Sequence, residues 1–322
     1  MLREMGGYFE LEHFTGVEYH EGALALDCAR NGLAYLIEAR RISSLWIPSF
    51  LCASIDNVCK KYDIDVKHYE IVANFAPDYE SIELNSSDYL YLVDYYGQLS
   101  DEDIIAAREM SGGRLIVDEV MAFFRWPLTG VDTIYSCRKF FGVSDGAYLY
   151  TNARIDRKLA TDESYSRMGF VLGRYERPAN DFFHEASANN GAFAEHDIRL
   201  MSPLTHNILR AVDYPSVARR RRRNFEFAAS MLDEINELSP IAVDGAFMYP
   251  LLVRDGAKAR KQLQAKKIYI STLWPYATSH EGLSGKYARD ILPIIIDQRY
   301  DTNDITYECS VVREVLEGLT AS

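Results

Sequence analysis

Residues 114–118 have the sequence Arg-Leu-Ile-Val-Asp, and residues 132–139 have the sequence Asp-Thr-Ile-Tyr-Ser-Cys-Arg-Lys. Both stretches contain the apolar, β-branched and aromatic side chains that are typical of strands. The first run ends at Asp118, and Lys139 follows the second run within a few residues. In parallel sheets, ligands bind beyond the carboxyl ends of the strands. The two stretches therefore predict an acid and an amine at one edge of a sheet.

Strand-like and helix-like segments alternate on both sides of these stretches. We predict strands at 44–47, 65–71, 89–95 and 146–150, and helices at 29–41, 51–61 and 101–110. Strands separated by such helices imply crossover connections, and so an α/β fold with a mainly parallel central sheet and helices on both faces. Residues 152–199 are less regular, and we interpret them as helices and loops over the sheet.

A long helix predicted over residues 216–235 leads into a second, smaller region. There we expect a strand at 247–253 and helices at 257–266 and 304–319. This pattern predicts a large cofactor-binding domain over 1–215 and a smaller C-terminal α+β domain over 216–322.

Composition narrows the classes of function. The net charge of −12 over 322 residues does not favour nucleic acid or an anionic membrane as a partner. The basic run at 219–223 spreads around a helix, so we favour a solvated helix or a subunit contact over a nucleic-acid patch. The five cysteines lack C-x-x-C spacing and the histidines lack metal-ligand spacing, which predicts no metal and a reducing compartment. Without a signal-peptide pattern or a run of about 20 apolar residues, we expect a cytoplasmic protein.

The chemistry depends on Asp118 and Lys139. Alone, Asp118 is equally consistent with a helix cap or a salt bridge, and Lys139 is more often a surface residue. The aromatic residues after Lys139 indicate a partly dry site, which lowers the pKa of a lysine and makes its amine nucleophilic. Together the two residues meet the needs of pyridoxal 5′-phosphate (PLP). Its aldehyde forms a Schiff base with a lysine, and an acid keeps its pyridine nitrogen protonated.

A phosphate site is predicted where residues 26–32, Leu-Asp-Cys-Ala-Arg-Asn-Gly, open the first long helix. The free backbone N–H groups at such a helix start, here at Ala29 and Arg30, favour a phosphate. The Arg30 guanidinium is expected to add a charge-assisted contact.

Several motifs resemble the DegT/DnrJ/StrS family of sugar aminotransferases, which are fold-type-I PLP enzymes. Asp118 begins a segment similar to the family's aspartate motif, and Lys139 followed by Asp145-Gly146-Ala147 is similar to its Schiff-base lysine and Glu-Gly-Gly. Supporting similarities are the turn at 26–33, Trp46-Ile47-Pro48-Ser49-Phe50, Val93-Asp94-Tyr95-Tyr96-Gly97-Gln98, Trp274-Pro275 and Leu292-Pro293.

The resemblance implies a homodimer with its active site at the interface. It also implies that the enzyme transfers an amino group from glutamate to a keto sugar linked to a nucleotide. Such reactions belong to the biosynthesis of surface polysaccharides or secondary metabolites. It assigns catalysis to Lys139 and Asp118. The cofactor would be bound by Ser136 with Ala29 and Arg30 at the phosphate, by Phe50 against the ring and by Met121 near the ring hydroxyl. Tyr95 and Tyr96 would border the substrate pocket, with core packing an equally good interpretation.

The sequence also departs from the family pattern. Met121 replaces a hydrogen-bonding residue, Cys52 stands where a stacking aromatic is usual, and Asp197 stands where the family has an asparagine that reaches a phosphate across the dimer. The spacing from Ser136 to Lys139 is also short. These changes leave open a non-catalytic relative that binds a sugar nucleotide or serves as an assembly partner. Another PLP reaction, a dehydration with histidine in place of the lysine, is disfavoured by Lys139, and a nicotinamide enzyme by the lack of a G-x-G-x-x-G motif.

Overall fold

The structure is a computed structural model that describes residues 5–320. Over these residues the strands are β1 (Leu24–Leu26), β2 (Ser44–Pro48), β3 (Asp65–Tyr69), β4 (Tyr89–Val93), β5 (Leu115–Asp118), β6 (Asp132–Ser136), β7 (Ala147–Tyr150), β8 (Ala160–Thr161), β9 (Arg199–Leu200), β10 (Tyr249–Leu252) and β11 (Ile291–Ile294). The helices are α1 (Ala29–Arg40), α2 (Ala53–Lys61), α3 (Asp101–Met110), α4 (Gly169–Glu176), α5 (Phe183–Glu195), α6 (Pro203–Leu209), α7 (Tyr214–Leu232), α8 (Gly256–Ala265), α9 (Gly282–Asp290) and α10 (Thr302–Thr320).

The main sheet has the strand order β3-β2-β4-β5-β6-β7-β1-β9-β8. From β3 to β6 all neighbouring strands are parallel. Strand β7 runs antiparallel to β6, and β1 runs antiparallel to β7. The prediction of a mainly parallel α/β sheet with flanking helices is therefore confirmed, and the sheet brings the carboxyl ends of β4, β5 and β6 to one edge.

Helix α1 packs its apolar face on this sheet. Leu33, Leu36 and Ile37 have the spacing of one helix face and are buried. Gly32 lies so close to β6 that an added Cβ would stand 3.1 Å from Ile134 Cγ2. This close approach fixes the start of α1 near the end of β6, where Ser136 and Lys139 follow.

A second, smaller core forms around β10 and β11, which pair antiparallel. It is built from α7, α8 and α10, with Phe225, Leu263 and Val312 among its buried residues. The residues 216–322 do not all belong to it, because Trp274 and Tyr287 pack in the first core. The domain boundary after residue 215, which falls inside the first turn of α7, stays a prediction.

The predicted elements are present with shifted ends, whereas no prediction covered β1, β8, β9, β11, α6 or α9. The strand expected over 89–95 ends at Val93, because Tyr96 and Gly97 adopt the left-handed conformation (φ 59° and 73°) that a strand cannot continue. Pro293 interrupts the apolar run of β11 and made it hard to recognise as a strand. Between residues 5 and 320, no helix is long and apolar enough to cross a membrane.

Candidate active site

Asp118 is the last residue of β5 and is almost fully buried, with 4% of its surface exposed. Tyr91 donates a hydrogen bond to Oδ2 at 2.6 Å, and the backbone N–H of Val120 donates to Oδ1 at 2.9 Å. Burial raises the pKa of Asp118, while these two donors and the charge of Lys139 oppose the rise. The two donors keep the carboxylate in one orientation and leave each oxygen with capacity for a further donor.

Lys139 ends a short 3₁₀ turn that follows β6, and its side chain is half-buried. Its Nζ stands 5.3 Å from the centre of the Phe247 ring. Over residues 5–320 this amine has no hydrogen-bond or ion-pair partner. Burial lowers its pKa, against the opposing influence of Cys52 and Asp118. An amine of lowered pKa without a fixed partner is available as a nucleophile.

The structure places Lys139 and Asp118 at the same edge of the sheet. Strands β5 and β6 are parallel neighbours, so their carboxyl ends meet at the same edge. The carboxylate raises the pKa of the amine, and the amine lowers the pKa of the carboxylate. Each group thus lies within the electrostatic reach of the other.

Lys139 is carried by a closed hairpin loop. Ser136, the last residue of β6, is paired with Ala147, the first residue of β7. Gly146 closes the loop with φ 119°, and a Cβ there would stand 3.0 Å from Thr205 Cγ2 and 3.2 Å from Cys137 Cβ. The carboxylate of Asp145 is buried and accepts hydrogen bonds from the backbone and hydroxyl of Ser202 and from the hydroxyl of Thr205. The loop is therefore anchored at its ends and at its base.

The predicted phosphate site lies at the start of α1. Cys28 is the N-cap with extended backbone and no side-chain cap, so the N–H groups of Ala29 and Arg30 point out of the helix without intrahelical partners, whereas those of Asn31 and Gly32 donate to the carbonyl of Cys28. Ser136 is buried, and its hydroxyl makes no hydrogen bond within residues 5–320. The Arg30 guanidinium donates instead to Asn190 of α5, at 2.8 Å to the carbonyl and 2.9 Å to Oδ1.

Phe50, predicted to pack against the cofactor ring, is fully buried in an aromatic cluster. Its ring centre is 5.0 Å from Tyr95 and 5.0 Å from Trp274. Cys52, where the family has a stacking aromatic, is half-buried. The stacking role of Phe50 stays a prediction.

Met121, Tyr95 and Tyr96 are all buried to 1% exposure or less. Met121 belongs to the first core, and its thioether offers a ring hydroxyl only a weak acceptor. The hydroxyl of Tyr95 donates to the carbonyl of Phe50, and that of Tyr96 has no partner among residues 5–320. This burial is that of core residues, and a place for the two tyrosines in a substrate pocket stays a prediction.

Two residues of this site were missed in the sequence. Tyr91 lies on the same face of the sheet as Asp118, because Val93 is the register partner of Asp118 and Tyr91 stands two residues before Val93. Arg138, directly before Lys139, contacts α5. Nothing in the sequence distinguishes Tyr91 from the other tyrosines of its strand. The second cation directly before the lysine, in contrast, can be recognised in the sequence.

No family model matches this sequence, and neither does any curated protein. Comparison with solved structures does find chains of similar fold. CalS13, a sugar aminotransferase from Micromonospora echinospora, matches with a TM-score of 0.63 at 16% identity, over 91% of this chain and 87% of that one. A DegT/DnrJ/EryC1/StrS aminotransferase from Brucella abortus matches with a TM-score of 0.61 at 14% identity, over 91% and 86%.

The chain has the fold of the sugar aminotransferases. The PLP form of Spr1654 from Streptococcus pneumoniae also shares this fold, with a TM-score of 0.67 at 12% identity over 92% of this chain and 87% of that one. The fold-type-I architecture predicted from the sequence is thereby confirmed.

The residues present fit PLP. The structure supplies an amine without a fixed partner, a buried carboxylate with spare acceptor capacity, and a hydroxyl and helix N–H groups without partners. These groups suit an aldehyde, a protonated ring nitrogen and a phosphate respectively. Met121, predicted near the ring hydroxyl, supplies no hydrogen-bond donor there.

Proposed function

We propose that this chain is a PLP-dependent aminotransferase that moves an amino group from glutamate to the keto group of a nucleotide-linked sugar. The observation that carries the proposal is the meeting of Lys139 and Asp118 at the carboxyl ends of neighbouring parallel strands. The sugar aminotransferases that share the fold support the substrate class.

Bound PLP supplies an electrophilic carbon for covalent attachment and a ring that accepts electrons. Lys139 would hold the cofactor covalently through its amine until an amino donor displaces it. The freed Lys139 amine would then be placed to take the proton from Cα of the donor as a base and to release it again as an acid. The lowered pKa of Lys139 increases the fraction of neutral amine at neutral pH, which covalent attachment and the role as a base require.

Asp118 holds the proton on the ring nitrogen. Its carboxylate is aimed by Tyr91 and Val120 and is shielded from water, so its interaction with a cationic ring is strengthened. Ser136 and the first turn of α1 bind the phosphate.

The proposal includes a cytoplasmic homodimer with the active site near the subunit interface. Residues 165–183 expose large apolar side chains, and Tyr165, Leu172, Tyr175 and Phe183 each have at least 64% of their surface exposed. Such a group of side chains suits burial against a second copy of the chain. Light scattering during size-exclusion chromatography is expected to give twice the mass of one chain.

The deciding experiment is the absorbance spectrum of the purified chain with added PLP. The wild-type protein should show the near-visible band of a lysine-bound cofactor, and Lys139→Ala should lose it, whereas the exposed control Lys158→Ala should keep it. Glutamate should bleach the band of the wild type, and a panel of keto-sugar nucleotides should restore it. A band that persists in Lys139→Ala would refute the assignment, and a wild type that PLP cannot titrate would support the non-catalytic relative.

A further inference from the structure

Three arginines surround one phenylalanine beside the candidate phosphate site. The guanidinium carbons of Arg30, Arg138 and Arg167 stand 5.6, 4.6 and 5.2 Å from the centre of the Phe193 ring. We call these three residues the arginine cluster. Phe193 lies on α5 and is 2% exposed, so the cluster is sheltered from solvent on this side.

The positive charge of the cluster is only partly compensated. Arg167 forms an ion pair with Asp162, which Arg199 also contacts at 3.1 Å. Arg30 and Arg138 have no carboxylate oxygen within 4 Å among residues 5–320. Both donate instead to the neutral amide of Asn190, at 2.9 and 3.4 Å to its Oδ1.

The pKa of Arg138 reflects this excess of positive charge. Burial, together with the neighbouring charges of Arg30 and Arg167, lowers the pKa of its guanidinium to about 10, against the opposing influence of Cys28 and Asp145. Adjacent half-buried cations without an anion repel each other, and a bound dianion would remove that cost.

The cluster lies at the start of α1. Both Arg30 and Arg138 act on the thiol of Cys28, the N-cap residue of α1, where they oppose the rise in pKa caused by burial. Arg138 also directly precedes Lys139 in the hairpin loop. The unpaired guanidinium groups, the helix N–H groups and the Ser136 hydroxyl thus belong to one neighbourhood.

Asp197 does not neutralise this neighbourhood. Its side chain is exposed, and its charge acts on Tyr62 and Arg157. Only its backbone carbonyl faces α1, where it accepts from Asn31 Nδ2 at 3.1 Å. The position where the resembling family places a phosphate donor from the partner subunit therefore carries no donor side chain here.

We propose that Arg138, supported by Arg30, anchors the cofactor phosphate from within the same chain, so that the phosphate site is complete without a donor from a partner subunit. The inference rests on the proposed function, because it assigns the cluster to PLP. A guanidinium suits this role because its N–H groups can donate two parallel hydrogen bonds to a phosphate. The two arginines would then exchange the Asn190 amide for a charged acceptor.

A purely structural role for Arg138, which would hold α5 through the Phe193 ring, makes a different prediction. In that case its loss would weaken the binding of any ligand near α1 regardless of phosphate. Pyridoxal, which lacks the phosphate but keeps the aldehyde, separates the two roles. Arg167→Gln is the matched control, because Arg167 contacts the same ring but is already paired with an acid.

The experiment titrates the full-length wild type, Arg138→Gln, Arg138→Lys, Arg167→Gln and Asp197→Asn with PLP and with pyridoxal, followed by absorbance. We expect Arg138→Gln to raise the Kd of PLP by about 10- to 100-fold while changing that of pyridoxal by less than about 2-fold. Arg138→Lys should recover part of the loss. Inorganic phosphate should compete with PLP in the wild type and much less in Arg138→Gln.

Each result decides between the interpretations. Equal losses for PLP and pyridoxal in Arg138→Gln, or an equal effect of Arg167→Gln, would overturn the anchoring role. If Asp197→Asn lowered the Kd of PLP by about 10-fold, a donor at that position would matter, and the proposal that the phosphate site is complete within one chain would be overturned. If the wild type binds no PLP, the proposed function fails, and the assignment of the arginine cluster to the cofactor fails with it. If the wild type binds only inorganic phosphate and Arg138→Gln loses that binding, the cluster is an anion site of another kind.

Discussion

Tyr91 donates its hydroxyl hydrogen to Oδ2 of Asp118 at 2.6 Å, from the strand next to β5 and inside the core. The donor partly offsets the burial that raises the pKa of Asp118. Tyr91 is therefore a positioning residue for the carboxylate that the proposed function assigns to the ring nitrogen.

Replacing Tyr91 with Phe should move the acid limit of cofactor binding to higher pH. The hydrogen bond favours the ionised carboxylate, so its loss raises the pKa of Asp118 further and protonation occurs at a higher pH on acidification. The measurement is the near-visible absorbance of bound PLP as a function of pH. Tyr79→Phe, which removes a hydroxyl bonded to the carbonyl of Asp103, should leave the midpoint unchanged. Coinciding midpoints for Tyr91→Phe and wild type would contradict the prediction.

Replacing Asp118 with Asn should keep part of the PLP binding but slow the proton transfer by orders of magnitude. An amide has nearly the same shape as the carboxylate, yet it cannot keep a proton on the ring nitrogen. Rapid mixing with glutamate measures the bleaching of the bound cofactor, and α-deuterated glutamate shows whether that step limits the rate. The exposed substitution Asp156→Asn is the control. A wild-type rate in Asp118→Asn would separate this residue from the chemistry.

Replacing Arg125 with Met should destabilise the fold by about 3 kcal/mol, because it removes the cation from a buried acidic pair. Arg125 contacts Asp94 at 3.1 Å and Glu119 at 3.7 Å, and both carboxyl groups are nearly inaccessible to solvent. Urea unfolding measures the change. Arg222→Met, which removes exposed ion pairs to Glu226 and Asp244, should change the free energy of unfolding far less. Similar losses in the two variants would argue against a structural role for the buried group.

Replacing Glu308 with Gln should stabilise the protein at alkaline pH. Burial raises the pKa of Glu308 to about 7, so the folded state binds more protons than the unfolded state between pH 4.5 and 7. Stability is therefore lost as the pH rises through this window, and the glutamine variant should lack that loss, which is on the order of 3 kcal/mol. Urea unfolding at pH 5 and pH 8 gives the difference. Glu314→Gln, an exposed change on the same helix, should follow the wild type at both values.

The sequence was sufficient to predict those site residues that directly follow the ends of strands. Asp118 and Lys139 each come just after an apolar run, and the parallel order of β5 and β6 makes such ends converge. The arginine cluster could not be derived in this way. The Phe193 ring and the Asn190 amide that the arginines share both come from α5. Asn190 lies 52 residues after Arg138, and no local sequence pattern links the two segments. The bond from Tyr91 depends in the same way on strand register, which a run of aromatic residues does not specify.

The loop that carries Lys139 leaves the sheet at Ser136 and rejoins it opposite, at Ala147. Because one strand pair fixes both ends and Asp145 is bonded to Ser202 and Thr205, residues 137–146 are held to the sheet as one rigid unit. The reactive amine and the adjacent guanidinium therefore keep a constant separation, which a ligand that contacts both of them must match.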